Sequence, residues 1–245
     1  MRLAAVGEVS LDRYVDRDTT ALGGCSCNLA RAAAAAGAHA ALFAPVGDDD
    51  RGRDVVARLA QTPLELHVRT EPGATAVQNI RIERGERVFC GWEPGVVASY
   101  ALSPAERELL AGFDVLAIAD TPAWDTCLAI PGPKKVADFS QDAGTAWRFA
   151  GLDIAFVGGT LADLPRLRGA GTLVVLTAGA GGAYALDGDR ELHQPSLAQT
   201  IVDTTGCGDA FQGAFTAAYF TGANLAEALA AGARAAAACA ARLGA

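Results

Sequence analysis

The sequence predicts an α/β protein, a three-layer α/β/α arrangement in which helices cover both faces of a mostly parallel central sheet and a small β-hairpin stands apart. Three observations predict it. Short apolar runs alternate with glycine turns and helix-spaced segments along most of the 245 residues, which is the pattern of successive βα units. Between Ala74 and Trp92 the period changes to two on either side of a glycine turn, as in an antiparallel pair. No internal repeat or linker interrupts the series, so residues 1–245 are expected to form one domain with the hairpin, at about 74–92, as its appendage.

Met1 to Val9 has the composition of a buried strand, and Asp12 opens a polar connection that runs to Thr20. After Gly23-Gly24, Ser26 is placed to cap a helix over Cys27 to Ala36, which Gly37 ends. The next unit has a strand at Ala40 to Val46, a turn at Gly47-Asp48-Asp49-Asp50 and helical spacing from Asp54 to Leu59. In the hairpin, Val77, Ile80 and Ile82 face Val88 and Phe89 across Glu83-Arg84-Gly85-Glu86. Ser103-Pro104, with Glu106 in the first turn, starts a helix. Strands follow at Phe113 to Ala119, Lys135 to Phe139, Ile154 to Val157 and Leu173 to Thr177. Tyr184 to Leu186 and Glu191 to Gln194 pair across Asp187-Gly188-Asp189. Gln199 to Val202 reads as extended, and two alanine-rich helices close the chain. The second is capped by Asn224 with Glu227 and broken at Gly232.

Composition narrows the function. With 51% hydrophobic and 20% charged residues, the chain has ample material for a core. A formal net charge of −8 without any Lys/Arg cluster argues against a nucleic-acid binder. It leaves room for a small phosphorylated ligand, because backbone N–H groups can hold one. No apolar run approaches the roughly 20 residues of a membrane span, and no signal peptide precedes the first strand, so a cytoplasmic protein is expected. The six cysteines are scattered, with one C-x-C and no C-x-x-C, which favours free thiols over disulfides or a zinc site.

The stretch Asp203-Thr204-Thr205-Gly206-Cys207-Gly208-Asp209-Ala210-Phe211 carries the chemistry. Two glycines let the backbone turn sharply, and the start of a helix leaves N–H donors for an anion. A carboxylate beside such an anion site repels the anion unless it does other work, such as accepting a proton from an attacking hydroxyl. The pairing suggests phosphoryl transfer. The same residues also suit a turn in which an aspartate or threonine caps a helix and the glycines relieve strain.

Four motifs in order, Gly23-Gly24 with Asn28 and Ala30, Val46-Gly47-Asp48-Asp49-Asp50 with Gly52, Thr177 with Gly179 and Gly182, and Asp203 to Phe211, resemble the ribokinase-like carbohydrate kinases, the PfkB family. The resemblance covers nearly the whole chain and implies a ribokinase-like fold with the hairpin as a lid. It implies an anion hole at Gly206, Cys207 and Gly208, with Asp209 as the base. Asp12, Gly23, Gly24 and Asn28 would then meet the sugar, whereas Thr177, Gly179, Gly182 and Thr205 would border the nucleotide. ATP and Mg2+ are the implied cofactors, and a small sugar is the implied partner. Arg87-Val88-Phe89, Glu93 with Gly95-Val96, Ala101-Leu102-Ser103, Phe113-Asp114 and Asp138-Phe139-Ser140 are similar to the branch acting on fructoselysine-like ketose-amines, which adds Glu93 as a substrate contact.

The chain departs from the family in three places. Gly158-Gly159-Thr160-Leu161-Ala162-Asp163 stands where an Asn-x-x-Glu motif organises the magnesium-bound phosphates, so the metal ligands stay unassigned, with Asp163 a substitute only through a shifted register. Cys207 replaces a common alanine, and its place at a helix start predicts a lowered thiol pKa. The chain is also short, which implies a reduced lid and a more open sugar site, or one completed by homodimerisation through the Ala74 to Trp92 hairpin. A nucleoside kinase on the same scaffold, with Phe89 or Trp92 stacking on a base, and a sugar- or nucleotide-binding protein without turnover are the alternatives.

Overall fold

The structure is a computed structural model and describes residues 1–84, 86–119, 121–139 and 147–245; Gly85 of the hairpin turn and Ser140 lie outside the described residues. The first strand, β1 (Arg2–Val6), ends where Gly7 adopts a positive φ of 148°. The chain then leaves this sheet. β2 (Ser10–Tyr14) and β3 (Thr19–Gly23) pair antiparallel in a second sheet, so the expected polar connection is a hairpin. Asp12 and Arg13 disguise it by interrupting the apolar alternation, although Leu11 and Tyr14 are buried. Helix α1 (Cys25–Ala35) follows Gly24, which has φ 94° and gives no side-chain cap. Ser26 lies inside the helix, and its hydroxyl accepts from the Glu8 N–H at 3.3 Å instead of capping.

Next come β4 (His39–Gly47), α2 (Asp50–Leu59) and β5 (Glu65–Glu71). β5 does not show in the sequence, because charged side chains at Glu65, Arg69 and Glu71 mask it; it is the outer strand of the large sheet, where such residues protect an exposed edge. β6 (Val77–Glu83) and β7 (Glu86–Glu93) return to the second sheet. The βα series resumes with α3 (Pro104–Leu110), β8 (Val115–Ile118), α4 (Trp124–Ala129), β9 (Lys134–Phe139), β10 (Ile154–Gly158), α5 (Leu164–Leu167) and β11 (Leu173–Thr177). The hairpin β12 (Ala183–Asp187) and β13 (Arg190–Gln194) precedes α6 (Cys207–Phe220) and α7 (Leu225–Ala240). Gln199 to Val202 forms no strand. Gly232 does not break α7. A Cβ there would come within 2.8 Å of the Phe211 ring, so the glycine admits an aromatic side chain between α6 and α7.

Among the described residues the large sheet runs β13-β12-β11-β10-β9-β8-β1-β4-β5. Its strands from β11 to β5 are parallel, and β12 and β13 are antiparallel additions. One face packs Leu29, Leu42, Phe156, Phe211, Phe215 and Leu229, and the other packs Phe43, Leu110, Leu116, Trp124 and Phe139. The three-layer arrangement is therefore present. The second sheet runs β3-β2-β6-β7, twice the strands of the expected hairpin.

Two devices set the geometry of the cleft. Asp49 caps α2 through the Gly52 N–H at 2.8 Å and also accepts from the Thr75 hydroxyl at 2.6 Å, while that hydroxyl accepts from the Gly47 N–H at 3.0 Å. The aspartate-rich turn thus fixes the point from which the chain departs for β6. Helices α1 and α6 approach through Gly213, where a Cβ would lie 2.4 Å from the Leu29 carbonyl oxygen. That atom belongs to the backbone and cannot rotate away. Gly213→Ala is therefore expected to cost about 1–3 kcal/mol by forcing the helices apart, seen as a fall in Tm of roughly 3–10 °C; an unchanged melting curve would refute this contact.

Candidate active site

The parallel strands end along one edge of the sheet, where α/β proteins place their ligands. The site is built there from three separate segments. Gly206, at φ 74°, is the residue before α6; this left-handed conformation favours glycine. The Cys207 N–H donates to the Thr204 carbonyl at 3.3 Å, and among the described residues no atom lies within 4 Å of where a Gly208 Cβ would be. Such a terminus suits an anion.

Asp203 anchors the turn. It is 0% exposed and accepts from the Tyr14 hydroxyl at 2.7 Å, the Thr205 N–H at 2.8 Å and the Gly244 N–H at 2.9 Å. Burial acts to raise its pKa, but these hydrogen bonds prevail and hold the carboxyl below its ordinary value. Sequence reading identified the residue and not this role, because its donors come from distant segments.

Asp209, in the first turn of α6, accepts from the Asn28 side-chain amide at 2.9 Å. The bond joins the late glycine turn to α1, which begins directly after the early one. Burial, followed by the negative charge of Asp138, pushes the Asp209 carboxyl up to about 8, against the opposing hydrogen bond from Asn28. Among the described residues the buried Asn28 Oδ1 has no hydrogen-bond partner. Asp12 lies 3% exposed on β2, directly over Gly23. A Cβ at Gly23 would fall 1.9 Å from its Oδ1. Burial, then the charges of Glu8 and Asp203, raise Asp12 to about 7.

Not every expected residue joins this group. Glu93 points to Arg51 and Asn79, each at 3.4 Å. Asn79 also accepts from Arg13 at 2.7 Å, and strand alternation puts Arg13 on the opposite face of β2 from Asp12. The structure thus places Glu93 behind the second sheet. Thr177, Gly179 and Gly182 lie at the carboxyl end of β11, two strands from the end of β9, or about 10 Å along the sheet. Gly182 is required for a tight contact there, since a Cβ would sit 2.2 Å from the Gln194 carbonyl oxygen.

Asp163 does not take the place of the missing glutamate. Its carboxylate accepts from the Thr160 N–H at 2.9 Å and hydroxyl at 3.1 Å and pairs with Arg166 at 3.5 Å. The carboxylate beside Asp209 is instead Asp138 at the end of β9; oxygens of the two and Cys25 Sγ all lie within 4.8 Å of one another. Gln212 donates to Asp138 at 2.8 Å. An aspartate at a parallel-strand terminus was the available sequence signal. The expected lowering of the Cys207 pKa is also reversed. A hydrogen bond with Cys239 and burial push the Cys207 thiol up, and these outweigh its position at a helix start.

A family model described as pfkB family carbohydrate kinase matches residues 2–132 and 155–245. The chain belongs to this family. As a pfkB family member it is a sugar kinase. Fructoselysine 6-kinase of Escherichia coli (strain K12) is 31% identical to it, over 94% of this chain and 94% of the relative. Fructosamine kinase FrlD of Bacillus subtilis (strain 168) is 28% identical over 89% of this chain and 84% of its own. Among solved structures, Arabidopsis thaliana ribokinase complexed with ribose and ATP superposes with a TM-score of 0.85 at 19% identity, covering 100% of this chain and 94% of its own. Thermotoga maritima ribokinase gives 0.82 at 20% identity, over 100% and 94%. These likenesses establish the ribokinase-like fold.

The electrostatics of the pair Asp138 and Asp209 can be read directly. A carboxyl titration followed by 13C NMR is expected to show Asp209 changing state near pH 8. Removing the neighbouring charge with Asp138→Asn is expected to move that midpoint to lower pH, since like charge disfavours ionisation. An Asp209 midpoint in the ordinary carboxylate range, or one unmoved by the substitution, contradicts the assignment.

Proposed function

We propose that the protein transfers the γ-phosphoryl group of ATP to a hydroxyl of a small sugar or sugar-amine, with Asp209 taking the hydroxyl proton. The observation that carries this reading is the placement of a buried carboxylate, held by Asn28, in the first turn of a helix that starts at the left-handed Gly206. Burial raises the affinity of Asp209 for a proton toward neutral pH, which matches a general base to its task. The Gly206-Cys207-Gly208 backbone, with Thr205 beside it, offers donors where negative charge develops during transfer. Asp12 and the unpartnered Asn28 Oδ1 orient sugar hydroxyls, and the bare Gly23 lets Asp12 lie flat against the backbone. Thr177, Gly179 and Gly182 border the nucleotide.

Magnesium neutralises the nucleotide phosphates when bound. The oxygen donors near Asp209 fit a hard cation, and Asp138 is the side chain that would hold it, supported by Gln212. Kinship with kinases named for fructoselysine and fructosamine supports a ketose-amine as the acceptor. The reading covers one kinase domain acting in the cytoplasm.

We also infer a homodimer across β7. This strand is the outer one of its sheet and exposes Val88, Phe89 and Trp92 at 37%, 46% and 42%, the apolar edge a second copy would cover. Sedimentation should give a dimer that Phe89→Asp dissociates; a monomer at high concentration refutes it.

ADP release measured across ketose-amines, simple ketoses and nucleosides tests the reaction, with fructoselysine expected to be preferred. Asp209→Asn is expected to retain nucleotide binding and lose about 10²–10⁴ in kcat. Because it removes a buried ionisable group, it is also expected to melt no lower than the native protein at pH 8. Preference for nucleosides favours a nucleoside kinase, absence of ADP release with every acceptor despite nucleotide binding favours a non-catalytic binder, and full turnover by the variant overturns the role of Asp209.

A further inference from the structure

The phosphoryl-transfer reading leaves one group in the cleft unused. Cys25, the first residue of α1, follows Gly24 immediately. Its Sγ and one oxygen each of Asp138 and Asp209 lie within 4.8 Å of one another. The three ligand atoms come from different elements, the start of α1, the end of β9 and the first turn of α6, so this cluster is not a local acidic run. A cavity of about 10 Å³ adjoins Cys25 and Asp138, lined also by Gln212 and by apolar Leu29, Ala117 and Phe156. That is room for about one water-sized occupant. Asn28, 6% exposed, donates its amide to Asp209, and its Oδ1 has no partner among the described residues.

We propose that Cys25, Asp138 and Asp209 form a site for a thiophilic divalent cation, of which zinc is the type, and that its occupancy withdraws Asp209 from proton transfer. The donor chemistry separates this ion from magnesium. A thiolate with two carboxylates suits borderline-soft Zn2+, whereas Mg2+ takes oxygen ligands and keeps its waters. Three protein ligands leave a fourth position for water or for Asn28 Oδ1. Zinc–sulfur and zinc–oxygen bonds of about 2.3 and 2.0–2.2 Å require the three atoms to draw closer than their present limit. Rotation of the Cys25 and Asp138 side chains supplies that movement, because neither side chain is covalently tied. On binding, the S–H bond of Cys25 and the O–H bond of a protonated Asp209 break, sulfur–metal and oxygen–metal bonds form, and each proton leaves to solvent. No electrons are transferred.

Metal binding itself does not depend on the kinase reading; only its effect on turnover rests on it. Cobalt(II) is the probe, since a thiolate ligand gives it a near-ultraviolet charge-transfer band. The native protein is expected to bind one equivalent with that band in the presence of excess Mg2+. Cys25→Ser is expected to abolish the band and Asp138→Asn to weaken binding by at least about tenfold. Cys90→Ser, which removes the exposed thiol, is expected to leave both unchanged. Absence of the band in the native protein, its survival in Cys25→Ser, or unaltered affinity in Asp138→Asn overturns the site. Circular dichroism establishes that each variant is folded; should Asp138→Asn not fold, Cys25→Ser decides. In the turnover assay, Zn2+ is expected to inhibit the native protein at concentrations at least about tenfold lower than it inhibits Cys25→Ser. Equal inhibition of the two overturns the regulatory consequence. Absence of turnover without zinc counts against the kinase reading alone, because the cobalt band still reports the site.

Discussion

The hydrogen bond from Asn28 to Asp209 joins residues 181 positions apart, and the rest of the site depends on the approach that it records. Two helices must begin at the same point for it to form. Gly213 lets α1 and α6 come close enough, and positive-φ glycines at 24 and 206 start each helix without a side-chain cap. A conventional Ser or Asp cap would fill the space that the cleft keeps open. The local cost of two uncapped helix starts is therefore part of the site's construction, consistent with strain and unsatisfied groups gathering where a protein works.

Charge is distributed unequally around that bond. Asp203 is as buried as any carboxylate can be, yet three donors keep it ionised. Asp209 and Asp12 have fewer donors and hold their protons more tightly. One aspartate of the same motif is thus held ionised by its hydrogen bonds, while burial and the charge of Asp138 make the other hold its proton. Arg87 reinforces the arrangement. It comes from β7, donates to the Thr204 carbonyl at 3.0 Å, and its positive charge partly offsets the repulsion felt by Asp12 and Asp209. The second sheet consequently contributes to the electrostatics of the cleft as well as covering it.

The layers of the fold were legible in the sequence because the buried strands from Leu173 to Thr177 and Val115 to Ile118 are continuous apolar runs, as parallel strands between helices must be. What stayed hidden were strands whose side chains answer to something other than the core. β2 carries Asp12 toward the site, and β5 carries charge at a sheet edge. The candidate site was legible as two glycine turns. Its internal pairing was not, since Asn28 with Asp209 and Tyr14 with Asp203 depend on distances between segments far apart in the chain. Asp138 gave only an aspartate at the end of a strand as its signal, and nothing in the local sequence announced that it would face Asp209.

The contact between Asp12 and Gly23 has a consequence for how this protein can diversify. With a carboxylate oxygen 1.9 Å from the place of any Cβ, no larger residue at position 23 is compatible with Asp12 where it stands, so this part of the candidate site cannot drift by single steps. The outer strand β7 has no such restriction, for its side chains are largely exposed. Change is thereby channelled to this outer strand, where a new side chain reshapes the surface and leaves Asp12 and Gly23 in register.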